Sequence, residues 1–567
     1  DATRARAPLT SSHIWDRTSR TIRLRAARNE TVSFIISLVK KGADFPTLKF
    51  SAQPLQAGKS GMPGDGFRFS RAWYTHTTTP ADGGIWTADL LLPLSGSMTL
   101  SALHNRLPNQ TCQSVLAELY IPASTAPGVY RGPIQITRDD GTSSELNVNL
   151  EVLPITLPRP EFTAELLAPP SLALLYKKDA MNRDDALPVE QAYYRMAREH
   201  LCTMAVLPYQ RNGEATEPFA PRVAGKGVDL TIPSWQAWDD RYAGVIDGSV
   251  FSGLDQGSEP ASHFILPLFE NWPASLLDGF LCTDQEVITP SGCKVFSGPA
   301  EGIYSCLDNN YWRAFRSSLQ KFREHLRSRG WSTTAAHLWL NNVPTTAYKG
   351  KAPPWFLGEP LFRDDFMALE SYALVAASDA SAWPKNKFIF RVTVPDGSLI
   401  GNYGIGVFSL LTVSDTDPLS WQRLRERQEL SDETLWLMTE GAPLGRTPLD
   451  VEATALGGFC EGADGWSIRE TIGLPEHWLR GSPQSLFYCG MPANQDKPYA
   501  SLRLKTLRRA LQDIEYLRLL QEKKGWTREQ LADFVYAAVP SLAKSGELTS
   551  DDAVRLRYTA QQELQKN

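Results

Sequence analysis

The chain has 567 residues, 42% hydrophobic and 21% charged, a globular composition on a length too great for one ordinary core. Lys plus Arg number 58 against 63 Asp plus Glu, a formal charge of -5 with no long run of either sign, which argues against a nucleic-acid or acidic-membrane partner. No run of 18 or more uninterrupted apolar residues is present, so no integral membrane segment is expected.

The first 150 or so residues read as strands. Val32, Phe34, Ile36 and Leu38 alternate with Ser33, Ile35 and Ser37, and Leu146, Val148, Leu150 and Val152 alternate with Asn147, Asn149 and Glu151, so each apolar set falls on one face. Between them Gly128 to Gly132 leads into Ile134 and Ile136, and Asp139-Asp140-Gly141 supplies a reversing turn. Two half-buried sheets facing each other, a β-sandwich over 1–157, satisfy this pattern. Leu157-Pro158-Arg159-Pro160 is a stiff connector of the kind that separates modules.

From 161 to about 500 helical and short apolar segments alternate. Residues 188–200 are helix-like and precede the apolar run Met204–Leu207; Tyr311–Arg327 is a basic amphipathic helix ended by Gly330 and followed by a strand over Ala335–Leu340. This alternation predicts a (β/α)8-type barrel with its chemistry where strands end and loops begin. The last part, 501–567, is helical. Leu504, Leu507, Leu511, Ile514 and Leu517 recur at three or four residues, Thr527 and Gln530 are spaced as a capping box, and a final helix spans Ser550 to Gln565. The fold class expected is multidomain α+β: a sandwich, a barrel and C-terminal helices packing on it.

Seven cysteines, at 112, 202, 282, 293, 306, 460 and 489, show no C-x-x-C and no His at ligand spacing, so no metal is expected. Cys282, Cys293 and Cys306 lie close enough for a local disulfide. There is no G-x-S-x-G elbow, no Walker loop and no dinucleotide fingerprint, and no cofactor is required. The chain begins at Asp1, as a mature product whose targeting segment has been removed would.

The strand ends carry the chemistry. His263 to Pro273 delivers Glu270, Asn271 and Trp272 together: a carboxylate, an amide and an indole. Trp339-Leu340-Asn341-Asn342 ends a strand, and Trp355-Phe356-Leu357-Gly358-Glu359-Pro360 follows after a short loop. Glu359 sits between aromatic residues and a proline, surroundings that desolvate a carboxyl and suit a general acid. The competing reading for each carboxylate is an exposed or structurally paired Glu. Arg363, Asp364 and Asp365 fit the start of a helix.

Several segments resemble glycoside hydrolase family 123 and the chains that share its associated C-terminal domain. They are Leu502 to Leu517 with its Glu-Tyr-Leu ending, Gly462-Ala463-Asp464-Gly465-Trp466, Glu270-Asn271-Trp272-Pro273 and the sandwich with Tyr130-Arg131-Gly132. The resemblance implies a β-sandwich and a β/α barrel acting on glycosidic bonds, with β-linked N-acetylgalactosamine the characterised substrate type. It also implies an Asp-Glu pair, the Asp orienting the substrate's acetamido nucleophile and the Glu protonating the leaving oxygen, an exception to the two-carboxylate scheme. Here the best match is Gly358-Glu359, with the Asp absent. An alternative alignment puts Asn341-Asn342 on the pair.

The function expected is therefore a glycosidase, secreted, periplasmic or at the cell surface, that cleaves an oligosaccharide or polysaccharide with an N-acetylhexosamine among the sugars implied. Glu359 would be the acid and Glu270 the second carboxylate. Trp272 and Trp355 would be stacking platforms, and Asn271, Asn341 and Tyr209 hydroxyl-binding groups, with Arg391 and Asp464 as further substrate-binding candidates. The rival is a catalytically degenerate carbohydrate-binding protein on the same scaffold. Exo or endo action and oligomeric state are not legible.

Overall fold

The computed structural model describes residues 11–566 apart from 40–46, 59, 63, 78–84, 95–106, 108–109, 171, 210–214, 216, 282–285, 289–293, 297–302, 344–352, 379–386, 415–416, 443 and 445–446. Two sheets form the N-terminal part. One runs through Thr21–Arg28, Ser143–Thr156 and Gly128–Arg138, with Leu48–Ala52 also paired to the last; the other is ordered Glu30–Val39, Cys112–Ile121, Phe67–Thr77, Ile85–Leu94. Val32, Phe34 and Ile36 from the second sheet and Val148, Leu150 and Val152 from the first share one core, as period-2 alternation requires. Gly141, at φ 83°, makes the expected turn after Asp140, whose Oδ1 accepts from Thr142 N at 2.8 Å.

Eight parallel strands follow: β1 (Thr163–Ala168), β2 (Thr203–Val206), β3 (His263–Ile265), β4 (Ala335–Trp339), β5 (Phe388–Val394), β6 (Leu410–Val413), β7 (Thr434–Thr439) and β8 (Gly465–Ile468). Their order is β2-β1-β8-β7-β6-β5-β4-β3, so all eight C-terminal ends open on one mouth. The sheet is a nearly closed barrel. Across the gap between β2 and β3, Thr203 Oγ1 and Ser262 Oγ are hydrogen-bonded at 2.8 Å. Outward residues such as Leu166, Leu338, Phe390, Val392, Leu437 and Trp466 join the main core beneath the helices. The amphipathic helix Asn309–Ser328 starts at an Asp308 cap and is followed by Gly330 at φ 71°; it buries Trp312, Phe315, Leu319, Phe322 and Leu326.

The helix Leu502–Lys524 shows what the residues off its leucine stripe do. Arg503 donates to Asp89 (Nη2 to Oδ2, 2.8 Å), Lys505 and Arg508 pair with Glu118, and Tyr516 OH donates to Glu30 Oε2 at 2.5 Å while accepting from Ala27 N. The helix is thus tied by charge to the first sheets and by leucines to the barrel, and the Glu-Tyr-Leu ending belongs to that seam. Thr527 and Gln530 form the capping box, and the last helix spans Ser550–Gln565. Cys306 is disulfide-bonded, Cys202 and Cys489 are buried thiols, and Cys282 and Cys293 lie outside the described residues.

Candidate active site

Inside the barrel, alternation points every second residue at the axis, and two levels of polar residues result. The lower level is Glu165, His263, His337, Arg391 and Ser467, each buried. Glu165 Oε1 accepts from Arg391 Nη1 at 2.7 Å and contacts His263 Nε2 at 2.8 Å, while Oε2 accepts from Ser467 Oγ at 2.5 Å. Two residues further toward the mouth, Leu167, Ala205, Ile265 and Trp339 form an apolar plug. The Arg391 guanidinium lies over the Trp339 ring at 3.9 Å. Arg391 and the His263 contact overcome the burial that would otherwise raise it, and hold Glu165 well below the usual carboxylate range. Burial, with help from His263 and Arg391, pushes His337 well below its ordinary value, so it is neutral.

Glu165, His263 and His337 place ligating atoms within 4.8 Å of one another, a donor set that a transition metal uses elsewhere. The fit here is poor. Both Glu165 oxygens are already engaged by strong donors, and the guanidinium 2.7 Å from Oε1 supplies the positive charge that a metal would bring.

The upper level lies at the mouth. Arg469 follows β8, its backbone N–H continuing the ladder to Thr439 O at 2.8 Å, and Glu470 N donates to Glu440 O at 3.0 Å, so Arg469 and Glu440 stand on rigid strand ends. Arg469 Nη1 donates to Glu440 Oε1 at 2.9 Å and to Glu359 Oε1 at 3.1 Å, and Nη2 reaches Asn341 Oδ1 at 3.3 Å. Arg469 therefore bridges from β8 to the end of β4. Burial works against its charge, but the contacts with Glu440 and Glu359 raise its pKa above the ordinary value. The side chains of Glu359 and Glu440 are 36% and 66% exposed and that of Arg469 15%, so this cluster faces solvent.

Glu359 comes from a loop pinned on both sides. Asn342 Oδ1 accepts from Leu357 N at 2.6 Å, its Nδ2 donates to Trp355 O at 3.1 Å, and its carbonyl accepts from Gly358 N at 2.7 Å. On the far side Asp365, in the helix Arg363–Ala377, accepts from Phe356 N, Leu361 N and Phe362 N at 2.9, 3.1 and 2.9 Å. Gly358 lies so close to β4 that a Cβ there would sit 2.4 Å from Asn342 O. No aspartate fits at that position.

The structure brings Glu359 and Asn341 together at Arg469, and gives the other sequence candidates different surroundings. Glu270 lies at the same end of the barrel but is 1% exposed, with Tyr311 OH donating to its carbonyl at 2.5 Å. Trp272 and Trp355 are buried against Phe322 and Phe280, so neither offers a face to a sugar. Asn271 Oδ1 accepts from Leu276 N at 3.1 Å. Tyr209 stacks on Phe269 at 4.5 Å and donates its hydroxyl to Trp339 O at 2.7 Å. Arg391 is sealed with Glu165. Asp464 precedes β8 at the opposite end of the barrel, where it accepts from Arg528 Nη2 at 2.7 Å and Leu435 N at 3.1 Å.

Glu440 and Arg469 went unread in the sequence. Their signal is the same one that marked Glu270: an ionisable residue directly after an apolar strand, in Leu435-Trp436-Leu437-Met438-Thr439-Glu440 and Trp466-Ser467-Ile468-Arg469.

No protein-family model matches the sequence, and no curated protein matches it. Among solved structures, a xyloglucanase of glycoside hydrolase family 5 from Bacteroides ovatus, solved with a XXXG heptasaccharide, superposes with a TM-score of 0.30 at 7% identity over 87% of this chain and 98% of its own, too distantly to carry an argument. A family 123 glycoside hydrolase from Clostridium perfringens, studied for glycolipid glycan hydrolysis, superposes with a TM-score of 0.62 at 13% identity, over 96% of this chain and 93% of its own. The chain has the fold of that enzyme along nearly its whole length.

Proposed function

We propose that the chain is a glycoside hydrolase cleaving a bond in an extracellular or cell-surface glycan, with Glu359 as general acid. The observation that carries this reading is the meeting of Glu359 and Glu440 at one guanidinium in the barrel mouth, the face on which barrels of this type carry out their chemistry. Most glycosidases cleave their bond with a pair of carboxyl groups and no cofactor. The shared fold of the clostridial enzyme supports the reading, and its glycolipid glycans belong among the substrates to try, beside N-acetylhexosaminides. The disulfide at Cys306 suits an exported protein.

A second reading, a carbohydrate-binding protein without turnover, is favoured by the two amides of Asn341-Asn342 at the end of β4 and by the bar to an aspartate at Gly358. One experiment separates them. Wild type and Glu359→Gln are given 4-nitrophenyl glycosides and natural oligosaccharides, and binding of the same sugars is measured by calorimetry. The hydrolase reading expects turnover by wild type, reduced about 10²–10⁴-fold in the variant as for loss of a general acid, with binding kept. Binding without turnover in both proteins would establish the second reading.

A further inference from the structure

Resting on the reading as a glycosidase, we infer that Glu440 is the nucleophile of a retaining, double-displacement mechanism, with Arg469 as the residue that positions both carboxylates. The geometry points to it in three ways. Arg469 Nη1 touches Glu440 Oε1 at 2.9 Å and Glu359 Oε1 at 3.1 Å, so those oxygens can be no farther apart than the two contacts laid end to end. That bound is compatible with the roughly 5–5.5 Å between carboxyl groups that direct attack requires. Second, Gly358 has no side chain and no room for one, so the residue before Glu359 supplies no carboxylate to orient an acetamide of the substrate. Third, Glu440 is the more exposed carboxylate and stands on a strand end, as a nucleophile that must reach an anomeric carbon does, whereas Glu359 is the less exposed of the two, as suits an acid.

The steps balance. A Glu440 oxygen forms an ester bond to the anomeric carbon as the bond from that carbon to the leaving oxygen breaks, and the Glu359 proton passes to the leaving oxygen. Water then attacks the same carbon and gives its proton to Glu359, while the ester bond breaks and Glu440 is again a carboxylate. In the intermediate Glu440 is uncharged, so Arg469 pairs with Glu359 alone and holds it as the carboxylate that takes the proton from water.

The test uses the intact chain and 4-nitrophenyl β-glycosides of glucose, galactose, N-acetylglucosamine and N-acetylgalactosamine, with the anomer of the first product read by proton NMR. Retention is expected in the wild type, with a loss on the order of 10⁴-fold in Glu440→Ala. Azide should restore turnover to that variant and yield a glycosyl azide of inverted configuration. Glu359→Ala with azide should give the retained one. Glu440→Gln, nearly isosteric and largely exposed, should melt at the wild-type temperature and be as inactive as Glu440→Ala. Inversion by the wild type overturns the assignment while leaving the glycosidase reading intact. So does Glu440→Ala acting at the wild-type rate on 2-acetamido sugars alone, which would make the acetamide the nucleophile. Sugar binding with no turnover by the wild type removes the glycosidase reading, and this assignment with it.

Discussion

Two arginine-centred clusters share the barrel interior, and Ser467 on β8 and Arg469 just after it contribute one to each. In the lower cluster Arg391 meets Glu165 with both side chains at 0% exposure. In the upper one Arg469 meets two carboxylates that water still reaches. The residue types are nearly the same. What separates them is the apolar plug of Leu167, Ala205, Ile265 and Trp339, which leaves the lower pair in a low dielectric, with both Glu165 oxygens and both terminal nitrogens of Arg391 hydrogen-bonded inside the protein and the Arg391 Nε without a partner. The lower cluster is therefore a fixture of the fold, and the upper one can exchange partners with a ligand.

The largest expected effect is on the lower pair. Glu165→Ala leaves Arg391 charged and unpaired in the core, at a cost of about 3–5 kcal/mol in stability, and Glu165→Leu with Arg391→Met should recover most of it. Denaturant unfolding followed by tryptophan fluorescence measures both. If the single variant unfolds like the wild type, the two clusters are not different in kind. Arg469→Gln should do the reverse. Its partners are open to solvent, so stability changes by about 1 kcal/mol or less, while glycoside turnover falls by about 10²-fold because Glu359 and Glu440 lose their common anchor. A loss of stability as large as that of Glu165→Ala would erase the contrast.

A smaller effect is expected at the join between Glu359 and the barrel. In Gly358→Ala the new methyl must push against the Asn342 carbonyl at 2.4 Å, and backbone cannot turn aside as a flexible side chain can. The strain of overpacking is about 1–3 kcal/mol. Because the loop is pinned again at Asp365, the displacement should concentrate near Glu359. Turnover should fall by about tenfold or more, since a shift of about 1 Å suffices, while Ala at the exposed Gly257, where a Cβ meets nothing within 4 Å but φ of 78° strains the backbone, serves as the control for strain placed in another loop.

How far these clusters were legible follows from what each depends on. The strands and helices depend on local periodicity, and the helix at Ser550–Gln565, the capping box at Thr527 and the barrel alternation could all be read from the residues. The site depends on which loops return to the mouth. Glu359 stands among aromatic residues expected to desolvate it, yet its side chain is 36% exposed; its meeting with Asn341 depends on the side-chain clamp of Asn342, and its meeting with Glu440 on the closure of β7 and β8. Trp272 and Trp355 misled because an indole in a strand-end segment looks the same whether it faces a sugar or Phe322 and Phe280. Asp464 misled because sequence does not say which end of a strand a flanking residue occupies until the strand itself is bounded.

The smallest expected effect is in pH, and it probes whether the lower cluster is as sealed as its burial implies. Burial holds His337 well below the ordinary histidine value of 6.5, with His263 and Arg391 adding to the push and Glu165 opposing it. His200, packed near Lys505, Arg508 and Glu118, is depressed in the same direction for the same leading reason. A histidine kept neutral in the folded state but free to protonate when unfolded contributes stability that is fully present above 6.5 and is lost as pH falls below it, by up to about 1.4 kcal/mol per pH unit for each group. Glu190, pushed up to about 7 by burial, acts in the opposite sense, its contribution being present below its ordinary 4.5 and lost as pH rises through about 7. Glu452, likewise pushed up to about 7 by burial, acts with Glu190, so the wild-type slope between pH 5 and 6.5 is a balance of the two kinds of group and the test lies in its change. His337→Gln should reduce that slope by about one proton's worth without touching activity at neutral pH, since the plug stands between it and the mouth. An unchanged slope would mean that His337 takes up its proton in the folded protein, and that water reaches the lower cluster after all.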